Sequence, residues 1–192
     1  MTALLALRSI LARTCCIILT FVWSELLLAS SAAAERPSLE YQVKASLLFN
    51  FLSYIEWPAD AFTDDSVDLF LCVVGSDPFG VALEAVDGEL VRGRRLTVLR
   101  LAAMESPESA RCNAVFFSAS ASENVAHTLP YLRRRPVLTV SDQLGFLAQG
   151  GMIEFLITDK KVRFRVRPEA AKRARLALSS HLLRLAESVI TD

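Results

Sequence analysis

The chain has 192 residues, 53% of them apolar, with 21 basic and 21 acidic side chains and a formal net charge of zero. That balance argues against a general nucleic-acid binder, which needs a clustered basic excess, and so much apolar content argues against a disordered chain. Seven Gly and seven Pro exclude a collagen-like or low-complexity chain.

The mean hydropathy of +0.37 owes much to the N-terminus. Arg8 and Arg13 precede an apolar run holding Ile17-Ile18-Leu19, Phe21-Val22-Trp23 and Leu26-Leu27-Leu28, and Ser30-Ser31-Ala32-Ala33-Ala34 follows. A basic start, an apolar middle and a small-residue end predict a signal peptide over residues 1–34, cleaved after Ala34. The alternative, an uncleaved anchor, would have to bury Glu25 at about 2.5–3.5 kcal/mol. No later apolar run reaches the ~18 residues of a membrane span. Residues 35–192 are therefore expected to be one exported domain with no membrane span after cleavage.

Cleavage leaves two of the four cysteines, Cys72 and Cys112. In an oxidising compartment such a pair reads as a disulfide; the competing reading is two buried thiols. The two histidines, His127 and His181, are too far apart for any ligand spacing, so no metal site and no cofactor is expected.

In chain order, Val43, Leu47, Phe51 and Ile55 recur every four residues and predict the apolar stripe of a helix over 39–56. Trp57-Pro58 ends it, since the residue before proline avoids the α region. Asp64-Asp65-Ser66 reads as a turn, and the apolar run 67–74 as a strand buried on both faces. Asp77-Pro78 predicts the cap and first position of a helix over 79–86. Residues 94–101 and 112–117 read as strands. Ser120-Ala121-Ser122-Glu123 has capping-box spacing and predicts a helix to Leu132. Arg133-Arg134-Arg135 would lie in its last turn, and Pro136 stops it. Residues 137–140 are a further strand. Ile153, Phe155 and Ile157 alternate along one arm of a hairpin, and Val162, Phe164 and Val166 along the other, with Asp159-Lys160 as the turn. Pro168 predicts the start of a closing helix whose buried stripe is Ala171, Ala174, Leu178, Leu182, Leu185 and Val189. This order predicts a single three-layer α/β domain: a mostly parallel sheet with helices on both faces, plus a C-terminal β-hairpin and a closing helix.

Catalytic motifs are lacking: the sequence holds no G-x-G-x-x-G, Walker loop, G-x-S-x-G or H-E-x-x-H. Ser179-Ser180-His181 on one helix is no triad, since nucleophile, base and orienting group must meet in space. Ser76, Asp77, Ser118, Ser120, Ser141 and Asp142 all follow strands, where an open parallel sheet binds ligands, so they are candidates for a small-ligand crevice. Turn formation predicts the same residue types. Arg163, Arg165 and Arg167 share one face of the second hairpin arm. They are candidates for holding an acidic partner surface; a solvated face or a charge-guarded edge gives the same pattern. Trp57, the sole tryptophan of residues 35–192, is expected to pack beneath the first helix.

The sequence also resembles a known family. Tyr41-Gln42-Val43-Lys44-Ala45, Phe49-Asn50-Phe51 and Glu56-Trp57-Pro58 are similar to the opening of YfiR-like periplasmic proteins. The likeness continues through Leu71-Cys72-Val73-Val74-Gly75, Asp77-Pro78-Phe79-Gly80 and Cys112-Asn113-Ala114-Val115-Phe116-Phe117. It ends with the run from Pro136 to Asp142, Gly145-Phe146, Gly150-Gly151-Met152-Ile153, Val162-Arg163-Phe164 and Leu176-Ala177-Leu178-Ser179-Ser180. The resemblance implies a non-catalytic periplasmic repressor that binds the periplasmic sensor region of an inner-membrane diguanylate cyclase and keeps cyclic di-GMP low. It further implies an OmpA-like outer-membrane-associated partner, homodimers, and Cys72–Cys112 as the family's central cysteine pair. Some relatives carry a second pair that this chain lacks. The alternative function is a periplasmic small-ligand-binding sensor module.

Overall fold

The computed structural model describes residues 37–62, 68–104 and 107–191. The expected signal peptide, its cleavage site and the Asp64-Asp65-Ser66 turn lie outside these residues.

The first helix, α1 (Leu39–Ser53), is capped by Ser38, whose hydroxyl accepts the Tyr41 N–H. It ends earlier than predicted. Tyr54 is its C-cap, and Ile55–Glu56 turn extended as β1, paired antiparallel with Ala177–Leu178 far along the chain. That pairing, rather than Pro58, stops the helix. The buried face also differs from the predicted stripe: Ala45, Leu48, Phe51 and Leu52 point inward together with Lys44, whereas Val43 is exposed. Apolar residues occur on more than one side of α1, so periodicity alone could not choose the face.

The large sheet has eight strands, in the order β10 (Ser188–Val189), β8 (Lys161–Val166), β7 (Ile153–Thr158), β6 (Leu138–Ser141), β5 (Ala114–Phe117), β2 (Asp68–Val74), β4 (Arg94–Leu101) and β3 (Leu90–Val91). Within it β2 is flanked in parallel by β4 and β5. Then come β6 and β7, also parallel, and β8, antiparallel to β7. The edges are β3 and β10. Arg92 and Gly93 join β3 to β4, and Asp159 and Lys160 join β7 to β8; all four residues have positive φ, as a type I′ hairpin turn requires.

Strand alternation divides the core into two layers. Leu69, Leu71 and Val73 of β2 join Phe116, Val140, Phe155 and Phe164 beneath α1. Cys72 and Val74 face the other way, with Val115 and Phe117, towards Val125, Leu129 and Leu132 of α3 (Ser122–Leu132). The mostly parallel, helix-covered sheet expected from the alternation of strands and helices is the one observed. On the α3 side Cys72 and Cys112 form a disulfide with Cα atoms 5.8 Å apart. Gly151 admits the Phe146 ring so closely that a Cβ would stand 2.1 Å from it.

Two capping expectations and the continuity of the closing helix are corrected. Asp77 caps no helix: its Oδ1 accepts the Phe79 N–H two residues on, and the following helix is the single turn α2 (Val81–Glu84), entered through Gly80. Ser120 lies in a 3-10 turn, Ala119–Ala121, before α3, whose N-cap is Ala121. The closing helix is broken. It comprises α4 (Pro168–Arg173), then β9 (Ala177–Leu178), then α5 (Ser180–Leu185), capped by the Ser179 hydroxyl. Arg175, at φ +61°, makes the break. Pairing of β9 with β1 and of β10 with β8 outweighs the helical propensity of this Ala- and Leu-rich segment. Leu185 and Val189, predicted as buried, are exposed.

Candidate functional site

In an open parallel sheet the ligand position is the carboxyl end of the strands where the order reverses. Here that point lies between β2 and β5, because the chain leaves β2 for β4 on one side and returns to β5 on the other. The structure brings the expected residues to it. Gly75 follows β2 at φ +89°, and a Cβ there would stand 2.5 Å and 2.6 Å from the hydroxyls of Ser118 and Ser120. Those hydroxyls bond one another at 2.9 Å, and Ser120 Oγ accepts the Ser76 N–H at 2.8 Å. Ser141 Oγ donates to the Phe117 carbonyl and accepts the Gln143 N–H. The second carboxylate oxygen of Asp77 takes Arg100 Nε at 2.7 Å. The side chains of Asp77, Ser118, Ser120 and Ser141, and the backbone N–H of Ser76, thus tie the post-strand turns together. Ser118 and Ser141 are buried, while Ser76 and Ser120 are exposed.

Asp142 turns towards α1 instead. Its Oδ2 meets Lys44 Nζ at 2.7 Å and accepts the Tyr41 hydroxyl at 2.8 Å, and Glu40 joins Lys44 from the same helix. The Lys44 and Asp142 side chains are only 4% and 7% exposed, and Asp142 Oδ1 has no hydrogen-bond partner. Burial, followed by the hydrogen bond to Asp142, pushes the Tyr41 phenol well above its ordinary range. Tyr41 therefore stays protonated and keeps donating. Sequence reasoning missed this cluster as a site. Its one signal was a lysine set within the apolar periodicity of α1.

The three arginines of β8 do not act alike. Glu154 of β7 is buried, and Arg165 Nη2 pairs with its Oε1, while Glu154 Oε2 accepts the Leu147 N–H. Arg167 Nη1 donates to the Leu147 carbonyl at 2.8 Å. Arg163 remains 46% exposed, with Glu187 at 3.6 Å. The arm is not an edge, because β10 covers it. Arg165 and Arg167 thus hold the loop before β7, and Arg163 is the one aligned with the surface. It borders a groove with Leu47, Tyr54 and Leu185.

Trp57 is half-buried, and its indole N–H donates to the Asn113 carbonyl at 3.2 Å. His127 and His181 are exposed, the latter against the Tyr54 ring. Among the described residues no group of three or more His, Cys, Asp or Glu is placed to hold a metal ion, and no helix is long and apolar enough to cross a membrane.

Residues 41–187 match the family described as YfiR/HmsC-like. The chain belongs to that family. YfiR-like proteins are periplasmic regulators of diguanylate cyclases, a regulatory rather than a catalytic family. The matched span starts at Tyr41 of the buried cluster and includes the disulfide and the whole sheet apart from β10. Among solved structures, the crystal structure of a conserved domain protein from Vibrio cholerae O1 biovar eltor is similar, with a TM-score of 0.49 and 10% identity over 78% of this chain. The chain spans about 60% of the length of that protein. Comparison with curated proteins found no match.

Proposed function

We propose that this YfiR-like protein is a non-catalytic periplasmic repressor. It binds the periplasmic sensor region of an inner-membrane diguanylate cyclase and holds cyclic di-GMP synthesis low. Membership of the YfiR/HmsC-like family over residues 41–187 carries this assignment. Repression requires that the protein bind the inactive state of the cyclase better than the active one. A hundredfold difference in affinity corresponds to about 2.7 kcal/mol. Arg163 contributes to the contact surface, facing acidic residues of the sensor region. The signal peptide over 1–34 delivers the domain, which acts as a homodimer, and an OmpA-like outer-membrane-associated protein competes for it and releases the cyclase.

Affinity capture of the tagged protein from solubilised envelopes, with mass spectrometry of what co-purifies, tests this. Enrichment of a cyclase bearing a periplasmic sensor region, together with a rise in cyclic di-GMP when the protein is deleted, is the expected result. Unchanged cyclic di-GMP on deletion would overturn it.

A further inference from the structure

The amino ends of the strands, opposite the turns described above, hold a cavity of about 480 Å³ between β2, β5 and β6. Its volume lies within the range of small-molecule sites. Phe62, Phe70 and Val137 give it apolar walls, and Arg111 and Arg135 give it two cations. Asp60 and Asp68 also reach it, but both are engaged: Asp60 by Arg175 at 2.8 Å, and Asp68 by a partner of its own. The two guanidiniums are differently placed. Arg111 lies 4.1 Å over the Phe70 ring, and Arg135 spends Nη2 on the Ala110 carbonyl at 3.0 Å. Among the described residues neither meets a carboxylate. A guanidinium has five N–H donors in a fork that matches a carboxylate. Most of the donors of Arg135 are therefore open to a ligand.

We propose that this cavity binds a small organic monocarboxylate with a flat apolar body. Arg135 takes the carboxylate, and the body lies against Phe62, Phe70 and Val137. The two oxygens of one carboxylate match the guanidinium fork of Arg135, so a single acidic group suffices to engage it. The cavity wall includes Cys112 and Asn113, and the Asn113 carbonyl accepts the Trp57 indole N–H. Occupancy is therefore read by the one tryptophan of residues 35–192, and it needs no partner protein.

The test is calorimetric titration of the oxidised protein with benzoate and with its neutral isostere benzamide, followed by Trp57 fluorescence. Benzoate should bind at least tenfold more tightly than benzamide. Arg135→Gln should abolish that preference, while Asp77→Asn, at the opposite end of the sheet, should leave it intact. Equal binding of the two probes, no benzoate binding, or a preference that survives Arg135→Gln would overturn the proposal. If Arg135→Gln lowers the melting temperature, Arg135→Lys decides instead. It keeps the charge but not the fork, so benzoate affinity should fall about threefold or more, and unchanged affinity would overturn the site.

Discussion

Arg175 holds Asp60 across 115 positions of sequence, with Nη1 2.8 Å from Oδ2. It does so from φ +61°, in the left-handed region that few non-glycine residues occupy. The hydrogen bond from Arg175 keeps the Asp60 carboxyl below the ordinary carboxylate range. A depressed carboxyl contributes stability that is present above its unfolded pKa, ~3.9, and is lost as the pH falls through the lower folded value. Both side chains are more than half exposed, so the contribution is small. Asp60→Asn should therefore flatten the loss of stability between pH 5 and pH 3 slightly, as read by urea unfolding at the two pH values. An identical loss in parent and variant would show the pair to be inert.

Lys44 and Asp142 behave differently because they are buried. Removing one partner strands the other, at a cost of about 3 kcal/mol. Lys44→Met should thus lower the urea midpoint strongly, and Lys44→Met with Asp142→Leu should recover most of the loss. A double variant no better than the single one would mean that packing, not the charge, holds α1.

At alkaline pH the same cluster should fail through Tyr41. Its folded pKa is raised, so its contribution is complete below the unfolded value near ~10 and declines as the pH rises beyond it. Tyr41→Phe should be less stable than the parent at pH 8 and lose less on going to pH 11. Parallel losses would remove Tyr41 from the account.

The Cys72–Cys112 bridge closes a sequence separation of 40 residues. The chain-entropy model assigns such a loop about 4 kcal/mol. Cys72→Ser or Cys112→Ser should lower the melting temperature and the periplasmic level, and thiol reductant should lower the parent to match. Equal thermal stability of variant and parent would sink the idea that this bond supports the fold.

The β8 arginines should separate in two assays. Arg165→Gln leaves Glu154 buried without its cation and should cost about 3 kcal/mol. Arg163→Glu should leave stability within about 0.5 kcal/mol and reduce recovery of the cyclase in affinity capture. Full recovery with Arg163→Glu would place the contact elsewhere.

Where the sequence constrains both faces of an element, it was legible. The β7–β8 hairpin and its Asp159-Lys160 turn follow from strict alternation, and β2 from an apolar run of strand length. The Cys72–Cys112 bond is the first of two readings of an isolated cysteine pair, the other being buried thiols, and the structure selects it. Legibility failed where a distant partner decides. Tyr54 to Glu56 continues a helical pattern, yet the backbone of Ile55 and Glu56 pairs with Leu178 and Ala177. Residues 168–189 carry a helical stripe, but Arg175 breaks it so that two short strands can form. At the switch point the sequence singles out Ser76, Asp77, Ser118, Ser120 and Ser141, and the structure uses them in the turns after the strands. The close approach of Gly75 to Ser118 and Ser120, which joins them to one another, is visible only in three dimensions.

The pairing of β1 with β9, and of β10 with β8, places the closure of the fold in its last residues. A chain emerging from a ribosome or a membrane pore in N-to-C order presents α1 long before the strands it must cover. Leu48, Phe51 and Leu52, buried in the finished core, stay uncovered during that interval. Contacts of such high sequence separation are slow to form, and exposed apolar surface invites aggregation while they do.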